Sequence, residues 1–232
     1  MREAVIVSSK RTPLGKSYRG SFNMTRPDDL AAHAIRASLD AVPDVADADV
    51  EDVILGCGLP EGPAGHNVGR VALLRAGLPS SVPGVTVNRF CSSGLQTVAM
   101  AAHRIMVGEA DTIVAGGVES ISLVQNEKLR TSDLFNPVMT REWPGIYFSM
   151  GETAEIVAKR YSVSREDQDA YALLSQQRVA AGQENGWFDE DIAPITVDRA
   201  VKQDDGSMAV EEGVRVDRDE CNRPGTTLEG LA

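Results

Sequence analysis

Four short runs rich in β-branched residues punctuate the first half of the chain: Ala4–Ser8 (AVIVS), Val53–Cys57 (VILGC), Val85–Asn88 (VTVN) and Asp111–Gly116 (DTIVAG). Between them, apolar residues recur at i, i+3 and i+4, the period of a helix. This alternation narrows the choice of fold. Parallel strands need long crossovers, crossovers are right-handed, and strands covered by helices on both faces read as continuous apolar runs. The expectation is an α/β domain around a largely parallel sheet.

The connecting helices carry their own punctuation. Thr25 offers an N-cap, with Pro27 in the first turn and Asp28 three residues after the cap, ahead of Leu30, Ala34, Ile35 and Leu39 on one face. Asn67 caps a helix through Ala76 that Gly77 and Pro79 close. After Cys91, the residues Leu95, Val98, Ala99, Ala102, Ile105 and Met106 share a face, which predicts a helix buried along much of its length and stopped at Gly108. Beyond Ser120 the rhythm changes. Residues 121–150 read as irregular, Gly151–Tyr161 and Ser164–Glu184 as helices, the second opened by a Ser164-x-x-Asp167 box, and Ile192–Val197 as a short strand. A charged, glycine-containing tail follows, with a last turn in TTLEGLA. Two domains are expected: 1–120, an α/β core carrying Cys91, and 121–232, an excursion with its own helices.

Composition excludes several functions. A net charge of −11 over 232 residues argues against nucleic acid, whose backbone is bound by clustered Lys and Arg, and leaves any polyanionic ligand to be held by local groups. The opening MREAVIVS has no long apolar core of a leader, and no window approaches a spanning helix, so a cytoplasmic protein without a membrane partner is expected. Cys57, Cys91 and Cys221 are odd in number and widely spaced, which favours reduced thiols over disulfides and offers no metal site. Gly56, Gly58 and Gly62 follow a strand, but the spacing is one residue too long for a dinucleotide fingerprint and Pro60 and Pro63 break the helix it requires.

Cys91 stands apart, between a strand and the start of an alanine-rich helix, followed by Ser92, Ser93 and Gly94. Helix N-terminal amides and the positive end of the dipole stabilise a thiolate, small neighbours leave it uncovered, and the two hydroxyls suit the capping of free amides. A thiolate there attacks an acyl carbon, with the Cys91 amide helping to hold the oxyanion. Acyl transfer through a thioester is the implied reaction. A base is harder to find. His103 lies about 18 Å along the same helix, His33 is mid-helix, and His66 sits in a glycine-rich loop as a weak candidate. Cys57 reads as a buried strand residue and Cys221 as a loop residue.

The ordered motifs VNRFCSSGLQTVAMAAHRI, AGGVESIS, MGETAE, SREDQDAYALLSQQRVAAG and NRPGTTLEGLA resemble the thiolases, among them acetyl-CoA acetyltransferases and 3-ketoacyl-CoA thiolases, from VIVSSKRTPLGK to the last residue. The resemblance implies a thiolase-like fold whose N-terminal α/β half carries an inserted loop domain, and coenzyme A and acyl-CoA as substrates with no permanently bound cofactor. Cys91 falls on the acylated nucleophile. Met150 falls on a methionine lining the acyl pocket, Ser149 where some members place a pocket histidine, and Phe148 is assigned to the same pocket. Arg223 falls on an arginine at the adenine end of coenzyme A, and Gly230 on a cofactor-contacting position where many members have serine; Ile121 stands where methionine is common.

Family members continue through a further strand and helix and a second half bearing an Asn-containing loop, a Gly-His-Pro histidine that activates the nucleophile and a Cys-Gly-Gly acid/base cysteine. None of these motifs occurs in the 232 residues. The chain is therefore expected to lack the C-terminal half and to be acylated slowly or not at all alone. A homodimer or tetramer is expected, because in the family the strand corresponding to Val85–Asn88 pairs across a dimer axis. Two alternatives stand beside this reading. One is a split or truncated homologue that binds coenzyme A, or a separate C-terminal half, without turnover of its own; the other is a ketoacyl synthase, disfavoured by the MGETAE-type insertion.

Overall fold

The computed structural model describes residues 2–231, which form two compact units. The first runs to Leu129 and resumes over Phe188–Cys221; the second comprises Arg130–Trp187 and the residues from Asn222 onward. The division thus falls at 129/130 rather than near Ser120, and segment 188–221 returns to the first unit. Its backbone is tied there. Arg11 N–H donates to Asp191 and Ala193 N–H to Arg11, at 2.9 and 2.8 Å, and the Asn23 amide pairs with both backbone groups of Ala200.

The first unit contains α1 (Pro27–Asp40), β1 (Asp52–Gly56), α2 (Val68–Arg75), β2 (Gly84–Val87), α3 (Ser93–Met106), β3 (Ile113–Gly117) and a short α4 (Ile121–Val124). The three strands are parallel in the order β2-β1-β3, with Gly56 opposite both Val87 and Gly117. The chain moves outward from β1 to β2 through α2 and returns across β1 to β3 through α3. Right-handed crossovers in opposite directions place those helices on opposite faces. Side-chain alternation agrees. Val53 and Leu55 share a buried cluster with Ile35 and Leu39 of α1 and Ala72 and Leu73 of α2, whereas Gly56 meets the start of α3. Every β1 residue is buried, and burying each of Val53, Ile54 and Leu55 contributes about 1.5–3 kcal/mol.

Several sequence expectations are corrected. Ala4–Ser8 is not a covered strand: no strand is assigned there, and Val5, Ile6 and Val7 are 70%, 78% and 68% exposed. A β-branched run becomes a strand only by pairing, and among the described residues no strand pairs with it. Helix α1 begins after Arg26 rather than after Thr25, with no side-chain cap on its first amides, Pro27 opening it and Arg26 Nε donating to Asp28 at 2.9 Å. Helix α3 buries only Ser93, Thr97 and Ala101, while Leu95 is 75% exposed. Its small residues face the sheet, so the helix seats close and its larger apolar residues project away. The tail forms a hairpin of β4 (Ile195–Lys202) and β5 (Met208–Val216), closed where Asp205 accepts from Ser207 N–H at 2.9 Å.

In the second unit, α5 (Pro137–Glu142) interrupts the stretch expected to be irregular, capped by the Asn136 side chain. It is followed by α6 (Met150–Tyr161) and α7 (Arg165–Glu184). Ser149 and Glu152 form a reciprocal capping box on α6, and Ser164 caps α7. The last turn in TTLEGLA is present, with Leu231 N–H donating to Leu228.

Asp219 closes a junction in the first unit. It accepts two bonds from the Arg11 guanidinium, at 2.7 and 2.9 Å, and one from Leu14 N–H at 2.8 Å. Burial pushes its carboxyl upward, but the Arg11 and Leu14 hydrogen bonds and the Arg11 charge outweigh this and hold it below the usual carboxylate range. A depressed folded value means that the stabilisation is present above the unfolded value, about 3.9, and is lost as pH falls through the folded one. Asp219→Ala is therefore expected to cost about 2–3 kcal/mol at pH 7 in urea unfolding. The gap between variant and parent should narrow only below about pH 4.

Candidate functional site

The loops that leave β1, β2 and β3 gather at the carboxyl ends of parallel strands, where open α/β sheets place their ligand sites. Here they line an open cavity of about 430 Å³ with Cys91 in its wall. A separate cavity of about 360 Å³ lies between the 10–17 loop, α1 and β3 and does not include Cys91.

Cys91 is an exposed free thiol. It sits not in the first turn of α3 but in a short 3-10 turn, Phe90–Ser92, that runs into it. The turn is held mainly by its own side chains. Asn88 Oδ1 accepts from Phe90 N–H at 2.8 Å, and Ser93 Oγ accepts from Arg89 N–H at 2.8 Å while donating to the Phe90 carbonyl at 2.6 Å. Ser92 Oγ donates to the Arg89 carbonyl at 2.9 Å. The hydroxyls expected to cap helix amides instead fasten the turn that presents the thiol. Phe90 takes a left-handed backbone, φ 47°, with its side chain 70% exposed.

Close packing places this turn. A Cβ on Gly56 would lie 2.5 Å from the Ser93 carbonyl carbon and 2.7 Å from Gly94 N, so the absence of a side chain there lets α3 start against the sheet. Thr97, fully buried on α3, brings Oγ1 within 2.8 Å of the Gly116 carbonyl and 2.7 Å of Gly94's.

Glu119, just beyond β3, also lines the cavity. Its Oε2 accepts from Gly58 N–H at 2.7 Å, and the Cys57 thiol lies 3.9 Å from Oε1. Sequence reading singled out neither Glu119 nor Asn88 as a site residue. The available signal was an Asx-type bond from Asn88 to the amide two residues on. Cys57 is buried, and burial, reinforced by the Glu119 charge, pushes its thiol up to about 11. Burial followed by the Asp219 and Glu220 charges also raises Cys221. At pH 8 roughly a thousandth of Cys57 is ionised. Peptide-resolved mass spectrometry of iodoacetamide-treated protein should therefore show Cys91 labelled first, then Cys221, with Cys57 last; early labelling of Cys57 would contradict this assignment.

None of the three histidines lines the cavity. The His33 ring lies 3.3 Å from the Ala193 carbonyl, His66 sits in a left-handed loop position before α2, and His103 is in the last turn of α3. The remaining site candidates belong to the second unit, whereas Cys91 belongs to the first. Phe148 is 41% and Met150 71% exposed, and the Ser149 hydroxyl accepts from Glu152 N–H. Arg223 N–H donates to Gln176 Oε1 at 2.5 Å, and Gly230 N–H donates to Thr227 Oγ1 at 3.2 Å. Among the described residues there is no cluster of three or more His, Cys, Asp or Glu able to hold a metal, and no helix long and apolar enough to cross a membrane.

Residues 4–232 match the family model described as thiolase, N-terminal domain. Over 232 residues the chain is 44% identical to a 3-ketoacyl-CoA thiolase of Bacillus subtilis (strain 168), covering all of this chain and 58% of that protein. It is 42% identical over 246 residues to a beta-ketoadipyl-CoA thiolase of Acinetobacter baylyi, covering 100% of this chain and 59% of that protein. A 3-oxoadipyl-CoA/3-oxo-5,6-dehydrosuberyl-CoA thiolase of Escherichia coli (strain K12) is 41% identical over 247 residues, with the same coverage, 100% and 59%. The chain thus spans somewhat over half the length of the curated relatives it matches.

Proposed function

Because this chain belongs to the thiolase family, we propose that Cys91 is the nucleophile of a thiolase-type acyltransferase that condenses two acetyl-CoA or cleaves a 3-ketoacyl-CoA. The observation that carries this reading is an exposed thiol at the carboxyl ends of three parallel strands, in a turn that leads directly into a helix. In the proposed step the Cys91 thiolate attacks the thioester carbonyl, its sulfur–carbon bond forms, and the Cys91 amide donates to the oxyanion. Collapse breaks the bond to coenzyme A sulfur, whose thiolate leaves and takes up a proton. In the condensing direction the acyl group then passes to the α-carbon of a second acetyl-CoA, whose α-proton goes to a base as the Cys91 sulfur leaves. In the cleaving direction Cys91 attacks the 3-keto carbonyl instead, the Cα–Cβ bond breaks, and acetyl-CoA departs with a proton at its α-carbon. The acyl group then passes to the sulfur of a second coenzyme A as the Cys91 sulfur leaves.

Phe148, Ser149 and Met150 are proposed to line the acyl pocket, and Arg223 and Gly230 to meet coenzyme A toward its adenine end. The protein is proposed to work in the cytoplasm as a homodimer or tetramer, in fatty-acid or related acyl-CoA metabolism. With no histidine lining the cavity, a base from elsewhere is needed for turnover, which also favours the reading of a homologue that acts only beside a C-terminal thiolase half. Incubated with isotopically labelled acetyl-CoA at mildly alkaline pH, the chain should slowly acquire one hydroxylamine-labile acetyl group, on the peptide containing Cys91, and should not turn over. Label on Cys221 instead of Cys91, or rapid turnover by the chain alone, would overturn the corresponding part of the proposal.

A further inference from the structure

We propose that Glu119 is a positioning residue for Cys91, acting through Gly58 and Asn88 to hold the turn that presents the thiol. The proposal rests on Cys91 being the nucleophile. Three strand ends take part. Glu119 Oε2 accepts from Gly58 N–H at 2.7 Å, the Gly58 carbonyl accepts from Asn88 Nδ2 at 3.1 Å, and Asn88 Oδ1 accepts from Phe90 N–H at 2.8 Å. The chain of bonds thus passes from the end of β3, through the end of β1, to the end of β2, and stops one residue short of Cys91.

What it holds is strained. A left-handed backbone at a bulky residue costs of order 1–3 kcal/mol and persists only where its surroundings impose it. The Phe90 side chain, mostly exposed, contributes little packing toward that end. Hydrogen bonds must hold the conformation, and Asn88 supplies one directly to the Phe90 amide. Asn88 is oriented in turn by the Gly58 carbonyl, and Gly58 by Glu119. The packing is tight: a Cβ on Gly58 would lie 2.8 Å from Glu119 Oε2 and 3.5 Å from the Phe90 carbonyl. If the turn relaxes, the sulfur moves relative to the amides that would hold its anion and its oxyanion.

The role assigned to Glu119 is hydrogen-bond acceptance rather than charge, which separates two substitutions. Gln keeps an acceptor oxygen and loses the charge; Ala loses both. The test is the second-order rate of iodoacetamide alkylation at Cys91, resolved by peptide mass spectrometry, with Cys221 in the same molecule as reference. Alkylation needs no coenzyme A. Failure of the acyl-transfer reading therefore shows in acetyl-CoA labelling, and failure of the positioning role in alkylation. Glu119→Ala and Asn88→Ala should each slow Cys91 about tenfold relative to Cys221, the scale of one to two lost hydrogen bonds. Glu119→Gln should stay within about twofold of the parent. Asn88→Asp keeps the acceptor for Phe90 but loses the donor to Gly58, and should fall between. Circular dichroism and the thermal transition establish folding; where an alanine variant does not fold, Glu119→Gln and Asn88→Asp decide the matter alone. Parental rates in both alanine variants, equal loss in Glu119→Gln and Glu119→Ala, or loss at Cys221 as large as at Cys91, would each overturn the proposal.

Discussion

Cys91→Ala is expected to abolish acyl incorporation from acyl-CoA while leaving the fold intact. The side chain is exposed and free of any disulfide, so its truncation removes little packing. Such substitutions stay within about 0.5 kcal/mol, and the thermal midpoint should move by no more than about 1–2 °C. The chemistry has no such tolerance. Ala has no nucleophile, and a Ser hydroxyl in its place is scarcely ionised near neutral pH, so Cys91→Ser should also fail to accumulate a hydroxylamine-labile acyl group. In any form of the protein that turns over, loss of the nucleophile should lower the rate about 10⁴-fold or more, the scale on which covalent enzymes respond. The measurement is paired: intact mass after incubation with acetyl-CoA, and circular dichroism on the same sample. Acyl label retained in Cys91→Ala would move the nucleophile to another residue.

Cys91 could be put forward as a candidate nucleophile from sequence whereas Glu119 drew no notice, and the difference has a physical reason. A nucleophile announces itself locally, through a thiol between a strand and a helix with small residues after it. The bond from Glu119 to Gly58 spans residues 61 positions apart, and nothing in the periodicity of either segment reports it. The same divide runs through the fold. The runs at β1, β2 and β3 and the helices between them followed from apolar period and punctuation, with Asn67 capping α2 through Arg70 N–H as its position implies. Ala4–Ser8 carries the same apolar signal as β1, yet only β1 has strands on either side. Composition measures the propensity to pair, and pairing depends on what lies alongside. The hairpin of β4 and β5 was passed over because the charged residues on its faces mask the alternation, although the Asp-Asp-Gly-Ser turn that closes it is a hairpin signal. In α3 the apolar stripe was read correctly as a helix, but the side facing the sheet was not. Close approach selects small residues, so the buried positions are Ser93, Thr97 and Ala101 rather than Leu95 and Val98.

Close approach also makes Gly56 the position at which one methyl group should do most harm. Its added Cβ would meet backbone, 2.5 Å from the Ser93 carbonyl carbon and 2.7 Å from Gly94 N, and backbone in a helix start cannot step aside as a side-chain tip does. Gly56 lies in the fully buried central strand, so the strand cannot yield either. The first turn of α3 must move outward, taking with it Ser93 and the hydrogen bonds through which Ser93 grips Arg89 and Phe90 at the start of the turn. Overpacking of this kind costs about 1–3 kcal/mol. A displacement of about 1 Å at a reacting group lowers rates by about a hundredfold. Gly56→Ala should therefore lower both stability and Cys91 acylation, the second far more than the first. Two neighbours on β3 grade the effect. At Gly117 a Cβ would meet Gly56 O at 3.1 Å and Gly94 Cα at 3.3 Å, and at Gly116 it would meet only the Leu55 side chain at 3.8 Å, an ordinary contact. The order of harm in urea unfolding and in Cys91 labelling should be Gly56→Ala, then Gly117→Ala, then Gly116→Ala, the last close to the parent. Equal effects at all three would mean that loss of glycine flexibility, rather than the seating of α3 against β1, governs where the thiol stands.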